Sequence, residues 1–269
     1  MRKLLDTSLA AFLVSLLTGC GAGGDPAPEG IASLTLANTT SAETSEMIAV
    51  TMTAANRTTD MQTGTLSRAD DYITLIGLTG EIDDGRTTIA LDGGGQALLE
   101  YGDNAYSARF VAEPTAGNRL IGVVGISSAT NEVPAGTVEY TGSATVTIHA
   151  STDIYELTGD ATLTAEFSVG EVTTTLDGLN GIRTSGTNSS DVSDVAQLAV
   201  SGSEIDGVTF SGGIASVASS AFSISENPDV SVSGGFFGPD AAEAGTVIIL
   251  DDSVNGDTRI FADILVSQK

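Results

Sequence analysis

Ser143 to Ala150 reads SATVTIHA, and Ala161 to Val169 reads ATLTAEFSV. In the first, Ala144, Val146 and Ile148 fall on one side and Thr145, Thr147 and His149 on the other. In the second, Ala161, Leu163, Ala165, Phe167 and Val169 share a side. A period of two is the signature of a strand with one buried face. Val208–Ser211, Ala221–Ser225 and Val230–Ser233 repeat the habit. Turn signals punctuate it at Asp83-Asp84-Gly85, Asp92 to Gly95, Asn180-Gly181, Asn227-Pro228 and Asn255-Gly256. Helical periodicity is scarce. Many short strands at close spacing predict an all-β chain, built as an antiparallel sandwich or barrel.

Composition agrees. Of 269 residues, 32 are Gly and none is Trp, and Thr, Ser and Val recur throughout. The chain carries 35 acidic against 10 basic residues, a net charge of −25. Such a field repels nucleic acid and anionic lipid surfaces, which excludes both as primary partners. It suits a solvated surface, and it favours a basic protein partner or cations.

The N-terminus reads as an address. Arg2 and Lys3 precede an apolar stretch from Leu4 to Leu17, too short for a membrane span. Leu17-Thr18-Gly19-Cys20 resembles a bacterial lipobox, which predicts a signal peptide over residues 1–19 and lipidation, including palmitate, at Cys20. Cys20 is the only Cys, so it forms no internal disulfide. Gly21 in place of Asp points to the outer membrane by the same resemblance. Residues 20–30 (CGAGGDPAPEG) predict a flexible tether.

Residues 31–115 form a β-rich N-terminal region, with strands expected at Met47–Thr53, Tyr72–Leu78, Thr87–Leu91 and Tyr106–Val111. Glu113-Pro114-Thr115-Ala116-Gly117 then breaks the alternation and marks an expected boundary, with residues 116–269 as a second unit. Thr184–Asp194 (TSGTNSSDVSD) is polar and predicts a long exposed loop.

Three segments of the C-terminal half carry a family likeness. They are GTVEYTG at 136–142, LTGDATLTAEFSV at 157–169 with VTTTLDGL at 172–179, and VSGGFFGPDAAEAG at 232–245. Together they resemble the transferrin-binding protein-like family of surface lipoproteins, whose barrel is related to factor H-binding protein. The third segment is the most specific. It places Gly234, Gly235, Phe236, Phe237, Gly238, Pro239, Glu243 and Gly245 on the family pattern, in a structural role. Thr246 stands where relatives often have a second Gly.

The resemblance implies an up-and-down antiparallel β-barrel of about eight strands in the C-terminal half, preceded by a smaller handle-like β region. It also implies a non-catalytic binding protein, with a protein ligand or an iron or haem source. Partners would include an outer-membrane receptor and a surface lipoprotein translocon. Read from the residues, the two glycines relieve crowding in a bent strand. Phe236 and Phe237 point to opposite faces, and Glu243 accepts backbone hydrogen bonds near the barrel end. The alternative from another class is a structural or adhesive envelope lipoprotein without a soluble ligand.

Catalytic chemistry is not visible. The single His, His149, lies on the polar side of its strand, and no nucleophile elbow, zincin helix or phosphate loop appears. The usual zinc, haem or iron–sulfur ligand sets are lacking, so no cofactor or metal is expected. Asp251, Ser253, Asn255, Gly256 and Asp257 imitate the start of a calcium loop. The twelfth position is Ala262, however, and the flanks read as a hairpin.

Overall fold

A computed structural model describes residues 30–38, 47–54, 66–69, 72–75, 78–81, 86–90, 96–104, 106–115, 118–125, 127–252 and 257–269. The predicted leader, Cys20 and nearly all of the tether lie outside them. The first region carries β1 (Gly30–Asn38), β2 (Met47–Ala54), β3 (Leu66–Ala69), β4 (Tyr72–Leu75), β5 (Leu78–Glu81), β6 (Arg86–Ala90), β7 (Gln96–Tyr101), β8 (Ser107–Thr115) and β9 (Asn118–Gly125). Six of these form an antiparallel sheet in the order β2-β1-β9-β8-β7-β6, and β3-β4-β5 form a small sheet of their own. The expected strand at Tyr72–Leu78 is thus two strands, β4 and β5, paired as a hairpin.

The second region carries β10 (Thr137–Ala150), β11 (Asp153–Glu166), β12 (Glu171–Ser185), β13 (Asn188–Val192), β14 (Ala196–Asp206), β15 (Thr209–Ser211), β16 (Ile214–Ser219), β17 (Asp229–Phe237), β18 (Glu243–Asp251) and β19 (Thr258–Gln268). Around the ring run β12, β11, β10, β19, β18, β17, β15 and β14, and pairing of β14 back to β12 closes an eight-stranded antiparallel barrel. Closure pairs most of the barrel strands on both sides and so removes most of the edges that would otherwise invite association. The inward side chains are those the alternation selects: Val146 and Ile148 on β10, Leu157 and Leu163 on β11, Val172 and Leu176 on β12.

Three sequence expectations are corrected. Glu113 to Gly117 is no boundary. β8 and β9 pair with each other across it, with a register shift between Ala112 and Thr115, and β9 also pairs with β1. The first sheet therefore runs to Gly125 and the barrel strands start at Thr137. Pro114 breaks the pattern because it sits at the bulge where the β8–β9 register shifts. Thr184 to Asp194 is not a loop. Its first two residues end β12, whose last five residues pair with Asn188–Val192 of β13. Ala221–Ser225 has strand-like alternation but joins no ladder, and it runs as bends. The Asp251–Asp257 stretch is bracketed by β18 and β19, which pair from Glu243↔Ser267 to Asp251↔Arg259, as the hairpin reading requires.

β18 and β19 depart from alternation for a reason. Nearly every residue in both is buried, on inward and outward faces alike. Ile248, Leu250, Ile260, Ala262 and Ile264 face the barrel interior. Val247, Ile249, Phe261 and Leu265 face outward and pack with Ile121 and Val123 of β9. The first sheet covers this wall of the barrel, so the two strands read as continuous apolar runs, as strands buried on both sides do. Inside, Phe236 lies 4.9 Å from Phe167, 5.3 Å from Phe210 and 6.0 Å from Tyr140, ring centre to ring centre. Phe236→Ala is expected to cost about 3–5 kcal/mol by urea denaturation. A loss under about 1 kcal/mol would show that this ring cluster does not hold the barrel.

Candidate functional site: the docked wall and the bare wall

The Gly-rich motif lies where sheet and barrel meet. Phe236 turns into the barrel core and Phe237 outward into the cluster shared with β9. Gly234 pairs with Phe210 of β15 and leaves space for that ring, and Gly235 pairs with Thr209 and with Gly245 of β18. Gly238 has φ +76°, and a Cβ there would sit 2.4 Å from the Tyr106 ring, so both backbone and space demand glycine. Pro239 opens a short 3₁₀ turn to Ala241. Ser128, just beyond the first sheet, donates its backbone N–H to Phe236 O at 3.0 Å and its hydroxyl to Gly238 O at 2.7 Å. Val123 of β9 lies against Gly245.

Glu243 is the polar centre of this contact. It is fully buried at the start of β18. Its carboxylate accepts the backbone N–H groups of Asn104 at 2.6 Å, Tyr106 at 3.1 Å and Ser107 at 2.7 Å, and the Ser107 hydroxyl at 2.5 Å. These donors form the turn between β7 and β8. A buried carboxylate is costly unless its oxygens are satisfied, and here four donors from the other sheet satisfy them. Nearby, Arg109 of β8 pairs with Glu100 at 2.7 Å and donates to Thr145 of β10 at 3.3 Å. His149 stands on the outside of β10 with its ring edge-on to Phe261 at 5.9 Å. Among the described residues no group of His, Cys, Asp and Glu is arranged to hold a metal ion.

The opposite wall, built from β11, β12, β14 and β16, carries no such cover among the described residues. Glu166 of β11 lies directly opposite Glu171 of β12, which lies opposite Glu204 of β14, and all three are exposed. Asp160 and Asp177 form a second opposed pair between β11 and β12. Like charges facing one another across a ladder destabilise it. The barrel's three basic residues are engaged elsewhere, Arg183 with Asp153, Arg259 with Asp251 and Lys269 with Glu139. Val169 (63% exposed) and Ile214 (72% exposed) project from this acidic wall or its rim. Beside Asp177 a cleft of about 470 Å³ is lined by Asp194, Gln197, Ser219 and Ser220 among others.

The β12–β13 hairpin extends the ladder at the end of the barrel that holds the β10–β11 turn. There the Ser185 side chain, and next Arg183, hold the Asp153 carboxyl below its ordinary range. The Glu row was not legible as a row, because each residue is a lone polar position within its own strand. Only the register brings the three together.

This arrangement defines a class: a closed antiparallel barrel with one wall taken by a second sheet and the other bare among the described residues. Residues 133–262 match the family described as the C-lobe and N-lobe beta barrels of Tf-binding protein B. The structure is similar to that of a Trp-176-Ala mutant of transferrin-binding protein B from Haemophilus parasuis, at 18% identity and TM-score 0.58, covering 88% of this chain and 44% of that one. It is also similar to the isotype 1 transferrin-binding protein B of serogroup B Neisseria meningitidis, at 14% identity and TM-score 0.57, covering 89% and 44%. The chain thus spans less than half the length of these structures. No curated protein shows significant sequence similarity to it.

Two measurements test the site. Glu243→Ala takes the acceptor from three N–H groups and a hydroxyl, those of Ser107 being buried, and is expected to cost about 3 kcal/mol. Faster hydrogen exchange at 102–107 should accompany it, and unchanged exchange there would contradict the latch. Burial pushes the Tyr140 hydroxyl up to about 12. Its folded value lies above its unfolded value near 10, so its contribution is complete below pH ~10 and is lost as pH rises toward 12. An alkaline unfolding titration should show a loss on the order of 2–3 kcal/mol over that window that is missing in Tyr140→Phe.

Proposed function

We propose that this chain is a lipid-anchored outer-membrane lipoprotein that acts by binding a protein partner, or a protein that carries iron or haem, and not by catalysis. The observation that carries the reading is the match of residues 133–262 to the barrels of transferrin-binding protein B. The Leu17-Thr18-Gly19-Cys20 motif supports the anchor: Cys20 takes the lipid, residues 21–30 form the tether, and a surface lipoprotein translocon exports the folded chain.

The first sheet occupies the wall of β18 and β19, so partner contact falls to the bare wall and the strand connections. The unpaired row Glu166, Glu171 and Glu204 suits a partner with a basic face. Opposed carboxylates that repel each other in the free protein are relieved when a cation is brought to them. Val169 and Ile214 supply apolar contact beside that row.

The test combines location and binding. Intact cells are treated with proteinase K, and the purified chain from residue 21 is assayed against transferrin and haemoglobin. Expected are degradation on intact cells, loss of membrane retention in Cys20→Ala, and binding to one protein that weakens several-fold between 50 and 300 mM salt. Protection from the proteinase, with no binding to either protein, would overturn the reading in favour of a structural envelope role.

A further inference from the structure

The barrel is closed unevenly. β15 pairs with β17 over only three residues, from Thr209↔Gly235 to Ser211↔Ser233. The chain then reaches Gly212 and Gly213, the latter at φ +114°, a conformation that turns the backbone aside. β16 follows and pairs with β14 from Ser201↔Ile214 to Ala196↔Ser219. Among the described residues it pairs with nothing on its other side. β17 pairs with β18 along its whole length, yet on the side toward β16 its Asp229–Val232 half has no ladder, only the Gly212 N–H donated to Val232 O at 3.4 Å.

Two backbone edges therefore face each other across a seam, Ile214–Ser219 and Asp229–Ser231, with the Gly212–Val232 bond at its closed end. Few Cα atoms of β16 and β17 approach within 8 Å of one another, as they would in a paired ladder. Paired strands are about 4.8 Å apart, and a gap that accepts one further strand is about twice that.

The seam leads toward the core. Val217, Val230, Phe222 and Ile224 pack against the barrel interior and are only partly buried. The segment 220–228 that joins β16 to β17 does not fill the gap. It is tied beneath the barrel: Ser225 donates its backbone N–H and its hydroxyl to the buried Asp252 carboxylate at 2.6 Å each, and Thr258 donates its hydroxyl to Ser223 O at 2.9 Å. It also leaves β16 and enters β17 at the same end of the barrel. To enter the seam it must run in and back, which needs the width of two strands.

We propose that this seam is a binding slot for an extended segment of a protein partner, added as a strand between β16 and β17. Its backbone satisfies both open edges, the mode by which exposed sheet edges capture peptides. Alternate side chains of the incoming strand are apolar and enter beside Val217, Val230 and Phe222. The intervening ones face solvent beside Ile214 and Ser216, and at least one is Lys or Arg. At the mouth of the slot the exposed Glu226 and Asp229 carry charge that the barrel's three basic residues, paired elsewhere, do not neutralise. The inference deepens the binding reading by naming a mode of contact, and it rests on that reading for its biological setting.

The test uses the full chain from residue 21 and a synthetic seven-residue peptide alternating valine with lysine and threonine, followed by hydrogen exchange. With millimolar peptide, exchange at 214–219 and 229–231 is expected to slow about tenfold while the rest of the barrel is unchanged. A peptide of the same sequence, N-methylated at alternate amides on its two edges in turn, should give no slowing. Val230→Asp should lose the effect while keeping its near-native melting curve. If that variant unfolds, the methylated peptides alone decide.

Unchanged exchange at both edges overturns the proposal, as does equal protection by the methylated peptides. Protection without peptide that rises with protein concentration alongside a dimer mass also overturns it, since a second copy then fills the seam. None of these outcomes bears on whether transferrin or haemoglobin binds, so failure of the slot and failure of the binding reading are read separately.

Discussion

The fold depends on one contact, the docking of the first sheet against β18 and β19. Those strands carry apolar side chains on both faces, and a barrel wall of Val247, Ile249, Phe261 and Leu265 cannot face water at low cost. β9 covers it with Ile121 and Val123. Apolar cover alone sets no register between the two sheets. Glu243 does that, because its carboxylate is satisfied only when the turn between β7 and β8 sits over it. The family motif and the interface are thus one feature. Phe237 and Gly245 make the apolar half of the contact and Glu243 the polar half.

That docking decides where function falls. With one wall occupied, the surface left to a partner is the wall of β11, β12, β14 and β16, together with the ends of the barrel. The free wall keeps a row of opposed carboxylates and two exposed apolar side chains, features that cost stability in isolation. Gly212 and Gly213 separate β16 from β17 on the same side of the molecule, so the incompletely laddered part of the barrel belongs to the uncovered half.

Much of the barrel was legible in the sequence, and the reasons for the exceptions are physical. β10 and β11 stand out because one face is buried and the other solvated, so polarity alternates residue by residue. β13 reads as loop in sequence because both faces of the Asn188–Val192 strand are largely exposed, and a strand solvated on both sides leaves no period. Ala221–Ser225 shows the opposite error. Phe222 and Ile224 alternate because they reach the core from beneath, without any ladder. Residues 113–117 resemble a linker because a bulge between paired strands uses the same residue types. For the site, the motif around Phe236 and Glu243 was visible, and its partners were not. Asn104 and Ser107 lie more than 130 positions away and carry no local mark of their role.

The most direct measurement of this account compares the chain from residue 21 with a fragment of residues 127–269 that lacks the first sheet. With the outer wall of β18 and β19 uncovered, the fragment is expected to bind a hydrophobic dye and to associate at micromolar concentration, while the longer chain stays monomeric and dye-free. A monomeric, dye-free fragment with the stability of the longer chain would contradict the claim that the docked sheet completes the barrel.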